Sequence, residues 1–245
     1  MTKLPSTEAV AATYNTPGEK SPLAAIEAYE EFQAEWANSQ LGSHAISTRM
    51  ELPRGRIRTW KEGGKPDVVR GLEVAREHEW VECPVDGEHF AALNRLVAAV
   101  YSGGSISTSV YKPSFSAARD EPNQQLRADL ETLGLECQLV LSNSGNVEEL
   151  RPSGNASVLG RVLVALDAPL GEKTSITSLP QYLDDSSIPE SVRNDFVRVY
   201  VSNRASEREN RDFLQIREER PSQYLDSLAA LVKDVAGVET WRGEN

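Results

Sequence analysis

The sequence predicts an α+β protein, with an all-α N-terminal part followed by a larger part in which helices and short strands alternate. Three observations carry this. Between residues 21 and 78 apolar residues recur at three- and four-residue spacing, punctuated by proline and glycine. Between 86 and 167 that spacing alternates with short β-rich runs, in the order αββαββα. From residue 189 an α-then-β pattern begins again and is shorter, so the second part reads as a unit followed by a truncated repeat.

Residues 1–20 mix Ser, Thr, Pro, Gly and Ala without a period and are expected to form a flexible tail. Ser21 is an N-cap with Pro22 at the first helical position. Leu23, Ile26, Tyr29, Phe32 and Trp36 then give one apolar face, and Gly42 is read as the stop. A short element over Ser43–Glu51 presents Ala45, Ile46 and Met50, and Leu52–Pro53 makes a turn. Pro53–Lys61 reads as a helix with Ile57 and Trp60 inward, closed by Gly63–Gly64. Pro66 opens another helix running to about His78, with Val69, Leu72, Val74 and Ala75 inward. The all-α part therefore spans 21–82.

The second part spans 86–242. Phe90, Leu93, Leu96, Val97 and Val100 mark a helix ending at Ser102-Gly103-Gly104-Ser105, and strands are expected at Ile106–Val110 and Tyr111–Ala117. Leu126, Leu130 and Leu133 mark a helix stopped by Gly134. A strand at Leu135–Leu141 and its partner at Val147–Arg151 flank a turn at Asn143–Asn146. Asn155–Asp167 reads as a helix, and 175–183 as a connection. The shortened repeat follows: a helix over Pro189–Val201, a strand at Phe213–Ile216, a helix over Tyr224–Val235 and a terminal strand at Val238–Trp241.

Composition narrows the function classes. No apolar run approaches the ~20 residues of a membrane span, and the longest, Leu159–Leu166, is interrupted by Arg161. The N-terminus lacks the apolar stretch of a signal peptide, and two cysteines, Cys83 and Cys137, cannot build a disulfide framework. A cytoplasmic protein is expected. The net charge is −11, arginine far outnumbers lysine, and the acidic bias resembles that of proteins from salt-loaded, halophilic cytoplasm. The charge is uneven, however. Residues 42–76 carry eight bases against four acids, while the flanking segments are acidic. That basic island is where a polyanion would be expected to bind.

The island coincides with two short helices joined by a tight turn, the second dense in arginine. Residues 42–63, GSHAISTRMELPRGRIRTWKEG, resemble the helix-turn-helix family, with Ala45 and Ile46 in the first helix, Leu52 in the turn, and Ile57 and Trp60 on the core side of the recognition helix. The resemblance implies binding of double-stranded DNA in the major groove, where arginine bonds bidentately to guanine O6 and N7. Arg54 and Arg58, four apart on one face, are the expected base readers. Arg56, Thr59 and Lys61, flanked by Arg49 and Lys65, are the expected phosphate contacts. Pairing of these arginines with Glu51 or Glu62 is the competing use of the same side chains.

In the second part LVAAVYSGGSIS (Leu96–Ser107), LGRVLVALDAPLGEKT (Leu159–Thr174) and FVRVYVSNRASE (Phe196–Glu207) are similar to the LAGLIDADG homing-endonuclease family. They correspond to its first signature helix, its inter-repeat helix and loop before a Leu-Pro segment such as Leu179–Pro180, and its second signature helix. The resemblance implies that the last acid of each signature would bind the divalent metals of DNA cleavage. Here those positions fall on Gly103 and on Arg204, or Asn203 with a one-residue slip. Neither is a carboxylate, so no catalytic or metal-ligating residue and no cofactor is expected.

A degenerate endonuclease-like domain beside a helix-turn-helix resembles the logic of the WhiA-type transcription regulators, with the two parts in the opposite order. The implied function is a sequence-specific DNA-binding transcription regulator, acting as a possible homodimer because operators commonly pair half-sites. The endonuclease-like domain would add DNA contact or dimerisation. Two alternatives stay open: a homing endonuclease using Asp120, Glu207 or Glu209, and a protein-interaction module. His44, His78 and His89 have no zinc spacing, Cys83 and Cys137 read as structural, and Ser102–Ser105 lacks the lysine of a phosphate loop.

Overall fold

The computed structural model describes residues 2–16, 20–38, 41–117, 120–141, 148–207 and 212–243. It is a mixed α+β fold, mostly helical, with small sheets. The chain opens with β1 (Lys3–Leu4) and α1 (Thr7–Ala11), followed by four helices: α2 (Pro22–Asn38), α3 (Ser43–Met50), α4 (Arg54–Lys61) and α5 (Asp67–Glu77). After β2 (Cys83–Pro84) come α6 (Glu88–Ser102), β3 (Ser105–Ile106), β4 (Pro113–Ser116), α7 (Asp120–Thr132), β5 (Cys137–Leu141), β6 (Glu148–Pro152) and α8 (Ala156–Ala165). A 3-10 turn at Gln181–Asp184 leads to α9 (Glu190–Arg204), β7 (Ala205–Glu207), β8 (Leu214–Ile216) and α10 (Ser222–Ala236).

The first 20 residues are not a loose tail where described. β1 pairs antiparallel with β2, Ser6 caps α1 by accepting from the Ala9 amide, and Val10, Ala11 and Tyr14 are buried. A five-residue helix leaves no periodicity to read, and it persists because it packs on α5 and α8. Ser21 does cap α2, its Oγ accepting from the Ala24 amide, but Gly42 is the N-cap of α3 and not the stop of α2. Further corrections fall at strand ends. β3 is two residues long because the chain turns at 108–110, closed by the Tyr111 amide donating to the Ser107 carbonyl; α9 runs on to Arg204, Ala205–Glu207 is a strand, and no strand forms at Val238–Trp241. The turn expected at Asn143–Asn146 lies outside the described residues.

Two cores result. A small one joins Tyr29 and Phe32 of α2 to Ile46 of α3 and to Ile57 and Trp60 of α4, with Trp60 edge-on to Tyr29 at 5.3 Å. A large one takes in α1, α5, Trp80 and the helices of the second part. The division at 82–86 is thus bridged by packing: α5 belongs to the large core, and Val69 touches both. The inward residues of α5 are Val68, Gly71, Leu72 and Ala75, with Val69 and Val74 only partly buried because they lie at the two edges of that stripe. In the large core the antiparallel sheet β3-β4-β6-β5 lies alongside α6 and α8. Phe115 and Leu150, paired across β4 and β6, turn inward and are fully buried.

α6 and α9 pack side by side in the same direction. At the middle of α6 the buried Asn94 donates to the Val192 carbonyl near the start of α9, and Arg95 bridges Asp129 of α7 and Asp195 of α9. At their C-terminal ends Asn203 Nδ2 donates to Ser102 Oγ at 2.8 Å. Gly104 lets the chain turn tightly onto the sheet, since a Cβ there would lie 2.6 Å from the Ser114 carbonyl oxygen.

Candidate nucleic-acid interface

The basic island folds as α3, a turn and α4. Both helices have eight residues, too few to persist alone, so the small core holds their geometry. Ile46 and Ile57 are fully buried, and burying a side chain of this size contributes roughly 1.5–3 kcal/mol. Ala45, expected beside Ile46 as a helix-packing position, is exposed instead. The turn is pinned locally: Glu51 adopts a left-handed backbone (φ 53°), Ser47 Oγ donates to the Leu52 carbonyl at 2.6 Å, and the Leu52 amide donates to the Ser47 carbonyl. Leu52 and Met50 pack against the small core. Pro53 then serves as N-cap of α4.

The seven basic and hydroxyl residues expected to contact DNA are sorted by this packing. Arg54 is exposed at the first position of α4, and among the described residues it has no hydrogen-bond or ion-pair partner. Arg58 is exposed and donates from Nε to Glu62 Oε1 at 2.9 Å, an i,i+4 pair whose hydrogen bond holds the guanidinium pKa above its ordinary value. That contact occupies one edge of the guanidinium. Arg56 is half-buried with its guanidinium 6.0 Å from the Trp60 ring centre.

The others are turned to the protein. Thr59 Oγ1 donates to the Gly55 carbonyl of its own helix. Lys61 reaches back to α2, with its ammonium 3.7 Å from the Trp36 ring centre and bonded to the Leu41 carbonyl. Arg49 pairs with Glu35 at 2.6 Å, and Lys65 pairs with Glu73. Sequence reading anticipated Glu62 as a competitor but missed Glu35 and Glu73, which lie 14 and 8 residues from their partners and follow no helical spacing. Such exposed pairs contribute only about 0–1 kcal/mol and can exchange for phosphate contacts. The glutamates therefore moderate the island without cancelling it.

The second site of interest is the joined C-terminal ends of α6 and α9. Gly103 caps α6. Arg204 donates to Glu218 Oε1 at 2.9 Å, and Arg220 Nε lies 3.2 Å from Glu218 Oε2. Arg220 also donates to the Lys173 and Tyr101 carbonyls. Lys173 Nζ donates to the Val100 and Gly104 carbonyls at 2.9 and 2.7 Å, and burial lowers its pKa to about 8. Three cations thus surround one buried carboxylate. Tertiary folding alone assembles this cluster, whose members are separated by up to 119 residues, and no local pattern announces it. Divalent-metal chemistry needs hard oxygen ligands free of competing cations, and these residues do not fit a Mg²⁺ ion. Among the described residues no three His, Cys, Asp or Glu side chains group to hold a metal, and Glu207 is an exposed residue of β7.

Among the described residues no helix is long and apolar enough to cross a membrane. No protein-family model and no curated protein matches the chain.

Proposed function

We propose that the chain is a sequence-specific DNA-binding transcription regulator that places α4 in the major groove. The observation that carries this reading is the α3–turn–α4 unit, held by its own small core, with Arg58 exposed on the outer side of α4 and Arg54 exposed on its flank. Arg54 and Arg58 are the proposed base readers. Arg49, Arg56, Thr59, Lys61 and Lys65 are the proposed phosphate contacts; to serve, Arg49 and Lys65 must give up a carboxylate, Lys61 its contacts with Trp36 and the Leu41 carbonyl, and Thr59 its bond to the Gly55 carbonyl. A homodimer on paired half-sites follows from this mode of reading.

For the second part we propose a LAGLIDADG-like fold that serves as scaffold and not as nuclease. Support comes from the order α6-β3-β4-α7-β5-β6-α8 followed by α9-β7-β8-α10, and from the parallel packing of α6 on α9. Gly103 and Arg204 at the helix ends supply no metal-binding carboxylate.

The test is selection of bound fragments from the source organism's sheared DNA, with and without Mg²⁺. Recovery of intact fragments sharing one motif is expected. Fragments cut at one site only with Mg²⁺ would establish an endonuclease instead, and no enrichment would move the role to a protein partner.

A further inference from the structure

The geometry points to Gly55 as the position at which α4 makes its closest approach to the floor of the major groove, beside the guanine edges read by Arg54 and Arg58. This inference rests on the DNA-binding reading above.

Glycine is the least favourable helix residue after proline, and an eight-residue helix tolerates it poorly. Three glycines lie inside helices of the described residues, and two have internal reasons. A Cβ at Gly71 would collide with the Tyr14 hydroxyl, and one at Gly160 with the Tyr111 carbonyl. Gly55 has none: its φ lies outside the left-handed region, and an added Cβ would meet nothing within 4 Å. Nothing inside the protein requires the missing side chain.

What the position faces is outside. At 3.6 residues per turn Gly55 lies roughly 170° from the mean direction of Ile57 and Trp60, on the outermost line of α4. Arg58 borders that line on one side, with Arg54 about a quarter turn away on the same side, and Thr59 lies close to it on the other, its hydroxyl folded back onto the Gly55 carbonyl. The exposed crest of the first turn is therefore bare backbone beside two arginines.

Glu62 fixes the direction of entry. It lies near the same line two turns later, at the C-terminal end of the helix, where a carboxylate would repel phosphates. The N-terminal end of α4 is therefore the end that enters the groove. A duplex with guanines under Arg54 and Arg58 has the matching chemistry: acceptors in reach of both guanidinium groups and a base edge that contacts the glycine backbone.

The experiment compares wild type, Gly55→Ala and Gly55→Leu, as full-length chains, by melting temperature and by fluorescence anisotropy on the selected duplex and a scrambled one. Both variants are expected to melt at or above the wild-type temperature, since alanine and leucine are better helix formers. Binding to the selected duplex is expected to weaken in the order Gly, Ala, Leu, reaching about tenfold or more for leucine, the scale of one lost bidentate contact. Binding to scrambled duplex changes less. Wild-type affinity in both variants would overturn the proposal and leave the DNA-binding reading standing. A lowered melting temperature in Gly55→Ala would overturn it too, by giving the glycine an internal role. If wild type prefers no fragment, the DNA-binding reading falls and this proposal with it.

Discussion

Removing both proposed base readers, Arg54→Ala with Arg58→Ala, should abolish sequence preference while leaving the fold intact. Both side chains are exposed, and neither contributes to the small core. The binding loss follows from their surroundings. A bidentate arginine–guanine contact contributes about 1–3 kcal/mol, so two contribute about 2–6 kcal/mol. Arg58 gives back a little, because DNA binding disturbs its exposed i,i+4 pair with Glu62. Arg54 has no such competitor among the described residues, so the single variant Arg54→Ala should cost at least as much as Arg58→Ala. The double variant should bind its selected duplex roughly thirty-fold to ten-thousand-fold more weakly. Anisotropy titrations on selected and scrambled duplexes at several salt concentrations read this directly. Base readers change the ratio between the two duplexes, whereas phosphate contacts change the salt slope, by about 0.9 per contact. A double variant with an unchanged ratio and a reduced slope would refute the assignment of these two residues to bases.

Three further outcomes follow from the packing. Ile57→Ala empties a fully buried position of a core with five buried members, and should cost about 2–4 kcal/mol. Hydrogen exchange should show α3 and α4 losing protection while α6, in the large core, keeps it. Asp129→Ala leaves Arg95 with Asp195 alone where two carboxylates had held it, and should cost about 3 kcal/mol in urea unfolding. The third concerns pH. Lys173, held near 8, loses its proton in the folded state before the unfolded state does, so stability rises with pH from about 8. Cys83, pushed up to about 11 by burial, opposes this, because the unfolded thiol ionises first and stability falls above about 9. The net gain between pH 7 and 9 is about 1 kcal/mol. Urea midpoints should therefore rise over that range in wild type and fall slightly in Lys173→Met, where only the opposing Cys83 contribution remains. A rise that survives in Lys173→Met would place the titrating group elsewhere.

Much of the architecture was legible because it is local. Ser21 before Pro22, the three-and-four spacing along α2 and the proline starts of α4 and α5 announce helices through backbone rules that need no distant partner. The same holds for Ile57 and Trp60, whose spacing marks the inner face of α4. The misread elements are those with little local signal. α1 has five residues and exists through its contacts with α5 and α8, β1 and β7 are two and three residues long, and β3 is cut short by the turn at 108–110.

By itself the sequence determined the α+β class, the order of its main helices, the position of the basic island and the absence of carboxylates at Gly103 and Arg204. These depend on residue identity and on short-range periodicity. Only the tertiary structure decided which cations are engaged: Arg49 by Glu35, Lys65 by Glu73, Lys61 by Trp36, with Arg54 left exposed. It alone assembled Lys173, Arg204, Glu218 and Arg220 at the ends of α6 and α9. The physical reason is one of range. A hydrophobic face is written in residues three and four apart, whereas an ion pair or a helix-end cluster is made by side chains that only folding brings within a few ångströms.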